Sequence, residues 1–394
     1  MNKINAVIIA DSIANNSRIT TFLVDVPQII VKELLRHRMF SFSSSSMRAI
    51  PFKRVLQDIK ENMFVPMAFQ CHHSGMQGTE YLSGQELENA KLQWIQSGLK
   101  ACDEAERLYN LGVTKQLCSR IIESFGYAKI LITATEFENF FELRCPKYYF
   151  EPSDKYFRSR REFVEEWNAT FWVGSDISEK ATVDSWTFEQ WQERFNHSQA
   201  EIHIQALAEV MWDTMNESTP KELKAGEWHI PFGDKMDENK LEGLEFFLSD
   251  VPNGLHKIVA GNYVIYTGRK GYAKLQSALE KMLGKDPFEK IKVKVATARC
   301  ARLSYMTHDG EINYEKDIKL HDQLLRDRHL SPFEHCAKVM NNDEYFEFAK
   351  GRMLVRDGYG NGDSLEQDID NNTHGWCNNF RGWIQYRHLI ENNL

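Results

Sequence analysis

The sequence predicts an α+β fold, with helices packed on a mixed β-sheet, and three observations carry that prediction. Two apolar, β-branched runs open the chain, INAVIIA at 4–10 and ITTFLVD at 19–25. Longer stretches with apolar residues at i, i+3 and i+4 spacing follow them. With 394 residues, 42% hydrophobic and 12% aromatic, the chain can bury a sizeable core and is globular in composition.

Taken in chain order, the loop DSIANNSR separates the two opening runs. Asp25 and Pro27 read as a helix start, a capping carboxylate followed closely by proline. The helix would be PQIIVKELLRHRMF, with Ile30/Leu34 and Val31/Leu35 at i,i+4. Further helices are predicted over about 85–111, about 114–142 and 198–215; the first offers Leu92, Ile95, Leu99, Ala105 and Leu108 as core. Between 147 and 196 charges and aromatics become dense together, which reads as an insertion. PFGDKMDENKLEG (231–243) is polar and linker-like. From about 255 a second unit begins, with a basic strand KIKVKVATA (290–298), a helix over about 314–328 and a C-terminal helix around 380–391.

Composition excludes several classes of function. A formal charge of −8 argues against a nonspecific nucleic-acid or anionic-membrane binder. No apolar run approaches the ~20 residues of a membrane span, and MNKINAVIIADS reads as a strand rather than a signal peptide. The seven cysteines form no CxxC pair, as expected of reduced thiols in a cytoplasmic protein. Cys71-His72-His73 are adjacent, and neighbours in sequence rarely converge on one ion without a further ligand, so no metal site is expected.

The stretch LLRHRMFSFSSSSMRAIPF (34–52) carries the clearest chemistry, with three arginines, a histidine and five serines. Arginine offers a fixed fork of donors matched to phosphate oxygens. On one helix Arg36 and Arg38 would point about 200° apart. Either the helix ends here, or each arginine reaches a different ligand, or one reaches a neighbouring subunit. The bland reading is a basic helix end before a flexible serine loop.

RHRMFSFSSSSMR resembles the signature of the flavin-dependent thymidylate synthases. Arg36, His37, Arg38, Ser41, Ser46 and Arg48 match it, while Ser43 and Ser44 stand where many members carry Asn and Glu. GVTKQLCSRIIESF (112–125) is similar to the family segment whose nucleotide-contacting arginine would be Arg120. TATEFENFFELRC (133–145) supplies Asn139 and Arg144, with Thr133 at a position usually Asn. HSQAEIHIQALA (197–208) resembles the His-Ala-Gln-x-Glu-Ile helix, giving His197 and Glu201. ATARCARLSY (296–305) and HLSPFEH (329–335) look like motifs that open ordinary members. FRGWIQYRH (380–388) looks like a decayed copy of the RHR region, with Gln385 and Tyr386 in its first two positions.

The resemblance therefore implies two related units in permuted order. Residues 1–235 would be a synthase-like unit with the intact RHR motif and the insertion at about 147–196. Residues 236–254 would be a linker, and 255–394 a second unit with SPFEH and the degenerate RHR helix. Two such chains would mimic the family's tetramer, so a homodimer is expected. The implied reaction is reductive methylation of dUMP to dTMP using FAD, NADPH and 5,10-methylenetetrahydrofolate, without a cysteine nucleophile. Arg144 and Ser46 would be catalytic, and Arg48, Ser46, Ser44, Arg120 and Arg144 would bind the nucleotide. Arg36, His37, Arg38, Asn139, His197, Ser304, His329 and Ser331 would hold the flavin. Two alternatives stay open: methylation or hydroxymethylation of another pyrimidine nucleotide, and a non-catalytic flavin- or nucleotide-binding homologue.

Overall fold

The computed structural model describes residues 4–47, 49–74, 80–171, 191–192, 194–237, 241, 256–260, 263–267, 287–303, 313–345, 348 and 375–392. Arg48, Ser304, residues 172–190 of the predicted insertion and most of the predicted linker lie outside them. The fold is α+β. The chain divides into two compact units: Met1–Asp11, Phe22–Phe40 and Ser44–Pro220 form the first, and Ser12–Thr21, Ser41–Ser43 and Lys221–Leu394 the second.

Strands β1 (Asn5–Ala14) and β2 (Ser17–Pro27) pass through both units. The sheet runs β3 (Ser41–Ser44), β4 (Tyr127–Ala134), β2, β1. The predicted helix from Asp25 is mostly absent. Asp25 stays in β2 and pairs with Lys129 at 2.7 Å. Only a 3-10 turn, Gln28–Ile30, and the short helix α1 (Val31–Leu34) follow. Beyond Leu34 the amides of Arg36 and His37 bond carbonyls three residues back, each at 3.2 Å, and the helix ends. Of the three readings of the arginine spacing, the first holds.

Helices α2 (Phe52–Asn62), α3 (Gly84–Asn110) and α4 (Lys115–Ile122) share a core of Phe52, Val55, Leu56, Ile59, Cys102, Ala105, Cys118 and Ile122. Two expected core residues of α3, Leu92 and Leu99, are 56% and 41% exposed. Ala105, expected in the core, is buried, and with Gly98 and Cys102 it makes a run of small residues at i, i+4 and i+7 on the buried face. A Cβ on Gly98 would come within 2.6 Å of the Met63 side chain, so the approach there is close.

The helix expected over 114–142 is three elements: α4, then β4, then α5 (Glu138–Arg144). Ile130, Leu131, Ile132, Thr133 and Ala134 of β4 are all 0% exposed. A strand buried on both faces loses its two-residue alternation, so its apolar run could pass for helix.

Within residues 147–196, β5 (Tyr148–Phe150) and β6 (Lys155–Phe157) form an antiparallel hairpin beside α6 (Arg160–Phe171). Phe163 is fully buried, with Phe195, Trp191 and Phe150 ring centroids at 4.8, 5.2 and 5.3 Å. Phe163→Ala is expected to cost about 3–5 kcal/mol, read as a lower denaturation midpoint in urea. Arg160 joins this layer to α7 (Ile202–Glu217): its Nε and Nη2 donate to the buried Glu209 carboxylate at 3.0 and 3.2 Å.

The second unit starts with β7 (Lys221–Glu222), parallel to β1 through Ser12↔Lys221. It continues through β8 (Trp228–His229) and a hairpin of β9 (His256–Ala260) and β10 (Tyr263–Thr267). Then come α8 (Pro287–Ala301), α9 (Tyr314–Arg326) and β11 (Ala337–Val339). Finally come β12 (Trp376–Cys377), β13 (Phe380–Arg381), β14 (Trp383–Gln385) and α10 (Tyr386–Glu391). The expected basic strand 290–298 is helix α8. Its alternation spans only three Lys/apolar pairs, and Ile291, Val293, Val295, Ala296, Ala298 and Cys300 are buried on more than one side. The expected C-terminal helix begins only at Tyr386, after Gly382 at φ +77° turns the chain between β13 and β14. Ala14, Ile19, Ala337, Val339, Phe380 and Trp383 form the core behind these strands. Among the described residues, no helix is long and apolar enough to cross a membrane.

Candidate functional site

In the first unit polar groups gather around Arg144, the last residue of α5. The helix ENFFELR buries Phe140 and Phe141 and brings Arg144 to its C-terminus, where a cation is favoured by the helix dipole. Arg144 Nε donates to His37 Nε2 at 3.2 Å, and its Nη1 lies 3.6 Å from Glu33 Oε2. The Arg144 side chain is only 19% exposed.

His37 is buried, edge-on to Phe140 at 4.8 Å between centroids. Burial, and then the adjacent Arg144 charge, push its pKa down to about 4. The ring is therefore neutral near pH 7. Because Nε2 accepts from Arg144, Nδ1 carries the proton. Burial and the Glu201 charge raise the pKa of Glu33 despite Arg144 and Arg36. Glu201 caps α7, accepting from the His203 and Ile204 amides at 2.8 and 3.0 Å. His203 accepts the Met67 amide at Nε2 (3.0 Å) and so presents Nδ1–H to Glu201. This second dyad is committed to holding structure. Arg144, by contrast, keeps guanidinium donors uncommitted among the described residues.

The other expected residues of this unit are more open. Arg36, Arg38, Arg120 and Asn139 are exposed, and among the described residues Arg38 and Arg120 have no ion-pair partner. Ser44 is exposed and Ser46 half-buried. Between them, the Ser45 hydroxyl accepts the Lys129 amide at 3.0 Å, and its own amide bonds Lys129 O at 2.8 Å, so this stretch stays on β4. His197 is exposed: its ring stacks on Tyr149 at 5.6 Å and Nδ1 meets the Tyr156 hydroxyl at 3.1 Å. Thr133 is buried within β4.

His329 and Ser331 lie in the second unit, both exposed. The His329 amide closes the end of α9 on Leu324 O, and Ser331 starts the turn Ser331–Glu334. In that turn Glu334 accepts from Arg387 at 2.6 Å. Sequence reasoning missed Glu33 as a partner of Arg144. The signal available was its four-residue spacing from His37, which a lone carboxylate in a charged helix does not bring to notice.

A flavin dinucleotide carries a pyrophosphate, and the exposed guanidinium groups of Arg36 and Arg38 are donors of a kind that fits one. Among the described residues no group of three His, Cys, Asp or Glu side chains could hold a metal ion.

Residues 12–152 match the family described as thymidylate synthase complementing protein. That stretch includes Arg36, His37, Arg38, Ser44, Ser46, Arg48, Arg120, Asn139 and Arg144, and stops before His197, Ser304, His329 and Ser331. The resemblance to the flavin-dependent thymidylate synthases therefore stands over residues 12–152. Among solved structures, the chain matches the UMP/dUMP methylase PolB from Streptomyces cacaoi bound with 5-Br UMP. Identity is 18%, covering 37% of this chain and 78% of that one, with a TM-score of 0.28. The same enzyme bound with 5-Br dUMP matches at 16% identity, over 51% of this chain and 67% of that one, with a TM-score of 0.31. No curated protein matches.

Proposed function

We propose that the chain is a flavin-dependent thymidylate synthase, converting dUMP to dTMP with 5,10-methylenetetrahydrofolate as carbon donor and NADPH as reductant. The observation that carries this reading is Arg144, fixed by a neutral histidine and a carboxylate while keeping donors to spare. FAD, when bound, supplies the hydride. In the first unit Arg36, Arg38, Asn139 and His197 are the residues to hold it; Ser304, His329 and Ser331, expected there too, belong to the second unit. His37, expected at the flavin, serves here by holding Arg144.

The uracil ring must become nucleophilic at C5. Arg144 donates to the ring carbonyl as negative charge develops there, and a fixed donor of this kind is worth about 10²–10³ in rate. Neutrality of His37 matters, because an imidazolium could not accept from Nε and would repel the guanidinium. Arg48, Arg120, Ser44 and Ser46 bind the phosphate and sugar. A thiolate route has little support: Cys145, next to Arg144, is 1% exposed, and burial pushes its thiol pKa far up. The assembly is a homodimer mimicking a tetramer, and a monomeric mass in solution would remove that part of the proposal.

The test is turnover of the purified chain with dUMP, methylenetetrahydrofolate, NADPH and FAD, followed by product mass. dTMP is expected. A product heavier by one oxygen would make the chain a hydroxymethylase, the outcome that Ser43 and Ser44 keep open. Flavin binding with neither product would make it a non-catalytic homologue.

A further inference from the structure

We infer that His335 and Gln385 are positioning residues: they clamp the signature strand β3 and so set the register of the nucleotide-binding serines that follow it. The inference rests on the functional reading above. Ser41 and Ser43 lie two residues apart, on one face of β3, and are 1% and 8% exposed. His335 Nε2 lies 2.9 Å from Ser43 Oγ. Ser41 Oγ accepts from Gln385 Nε2 at 3.2 Å and from Asn379 Nδ2 at 3.1 Å.

The clamp is itself locked. Gln385 Nε2 also donates to Asn379 Oδ1 at 2.7 Å, and its Oε1 accepts from Asn378 Nδ2 at 2.9 Å. The backbone pairing Ala337↔Gln385 brings the SPFEH turn and β14 together. His335 is fully buried, and burial with the nearby His229 pushes its pKa down to about 3, so it acts as a neutral partner. A paired polar network centred on the buried Ser41, Ser43, His335 and Gln385 rigidifies one arrangement; an apolar patch of the same shape would tolerate sliding. Sliding would be costly in function. A one-residue slip of β3 would send Ser41 and Ser43 outward and turn the exposed Ser44 inward. The clamp also accounts for the residue at 385. An arginine there would bring its charge into a site 1% exposed, whose partners are a hydroxyl and two amides.

The test is dUMP binding by calorimetry, together with KM and kcat, in Gln385→Met, His335→Leu and His335→Gln. Gln385→Met and His335→Leu are expected to raise Kd and KM for dUMP at least tenfold, with kcat and bound flavin within threefold of wild type. His335→Gln, which keeps an amide at reach of Ser43, is expected to restore binding to within threefold. Should the larger changes fail to fold, Ser41→Ala removes the bonds from the strand side and carries the same expectation. Variants that lose thermal stability but bind dUMP like wild type overturn the clamp alone. A wild type that binds no dUMP removes the functional reading, and the clamp with it.

Discussion

Arg144→Lys is expected to slow dTMP formation by about 10²–10³-fold without unfolding the protein. Lysine keeps the charge but loses the fork. It has no Nε–H to give His37, so the 3.2 Å bond that orients the cation disappears. Its single ammonium would settle toward Glu33, which already lies 3.6 Å from Nη1. The fold should survive, because Phe140 and Phe141 anchor α5 independently. His37→Phe tests the support rather than the donor. Its ring would still pack on Phe140, but Arg144 Nε would lose its acceptor, and a drop of about tenfold in kcat is expected. Quantified dTMP and a thermal melt decide both; activity of Arg144→Lys within threefold of wild type would remove Arg144 from the mechanism.

Acid should weaken both units well before bulk carboxylates titrate. His37 and His335 have pKa values pushed down to about 4 and about 3, and that of His321 is lowered, chiefly by burial in each case. A histidine whose folded pKa is depressed binds its proton in the unfolded chain first. The stability it allows is full above pH 6.5 and is lost as pH falls toward the folded value. Each such residue contributes up to about 1.4 kcal/mol per pH unit. The first unit has His37 in this class, and the second has His321 and His335, so the second should lose stability more steeply. Glu33 and Asp213, with raised pKa values, act in the opposite sense at lower pH. Urea denaturation at pH 7 and pH 5 is the measurement; equal stability at both would contradict the burial of these rings.

Elements with a clean period were legible in the sequence. The opening strands, α3, α7 and α9 lie close to their predicted spans. Readings failed where burial on several sides erased the period, as in β4, or imitated another, as in the Lys/apolar alternation of α8. The buried face of α3 was read only in part: Ala105 was expected in the core and is buried, while Gly98 and Cys102 carry little hydrophobic weight although they allow close packing. At the site, residue types announced the arginines and serines. Their partners could not be read, because His37–Arg144 and Ser43–His335 join residues 107 and 292 positions apart. No local pattern encodes such pairings.

Ser12–Thr21 and Ser41–Ser43 belong to the unit completed by Lys221–Leu394. During synthesis these early segments leave the ribosome long before Trp383 and Gln385 exist to cover them. At several residues per second the wait is tens of seconds. Nascent chains would thus expose an unfinished sheet margin, a natural client surface for a chaperone. Cutting the gene near residue 220 should give an amino-terminal fragment that aggregates when expressed alone.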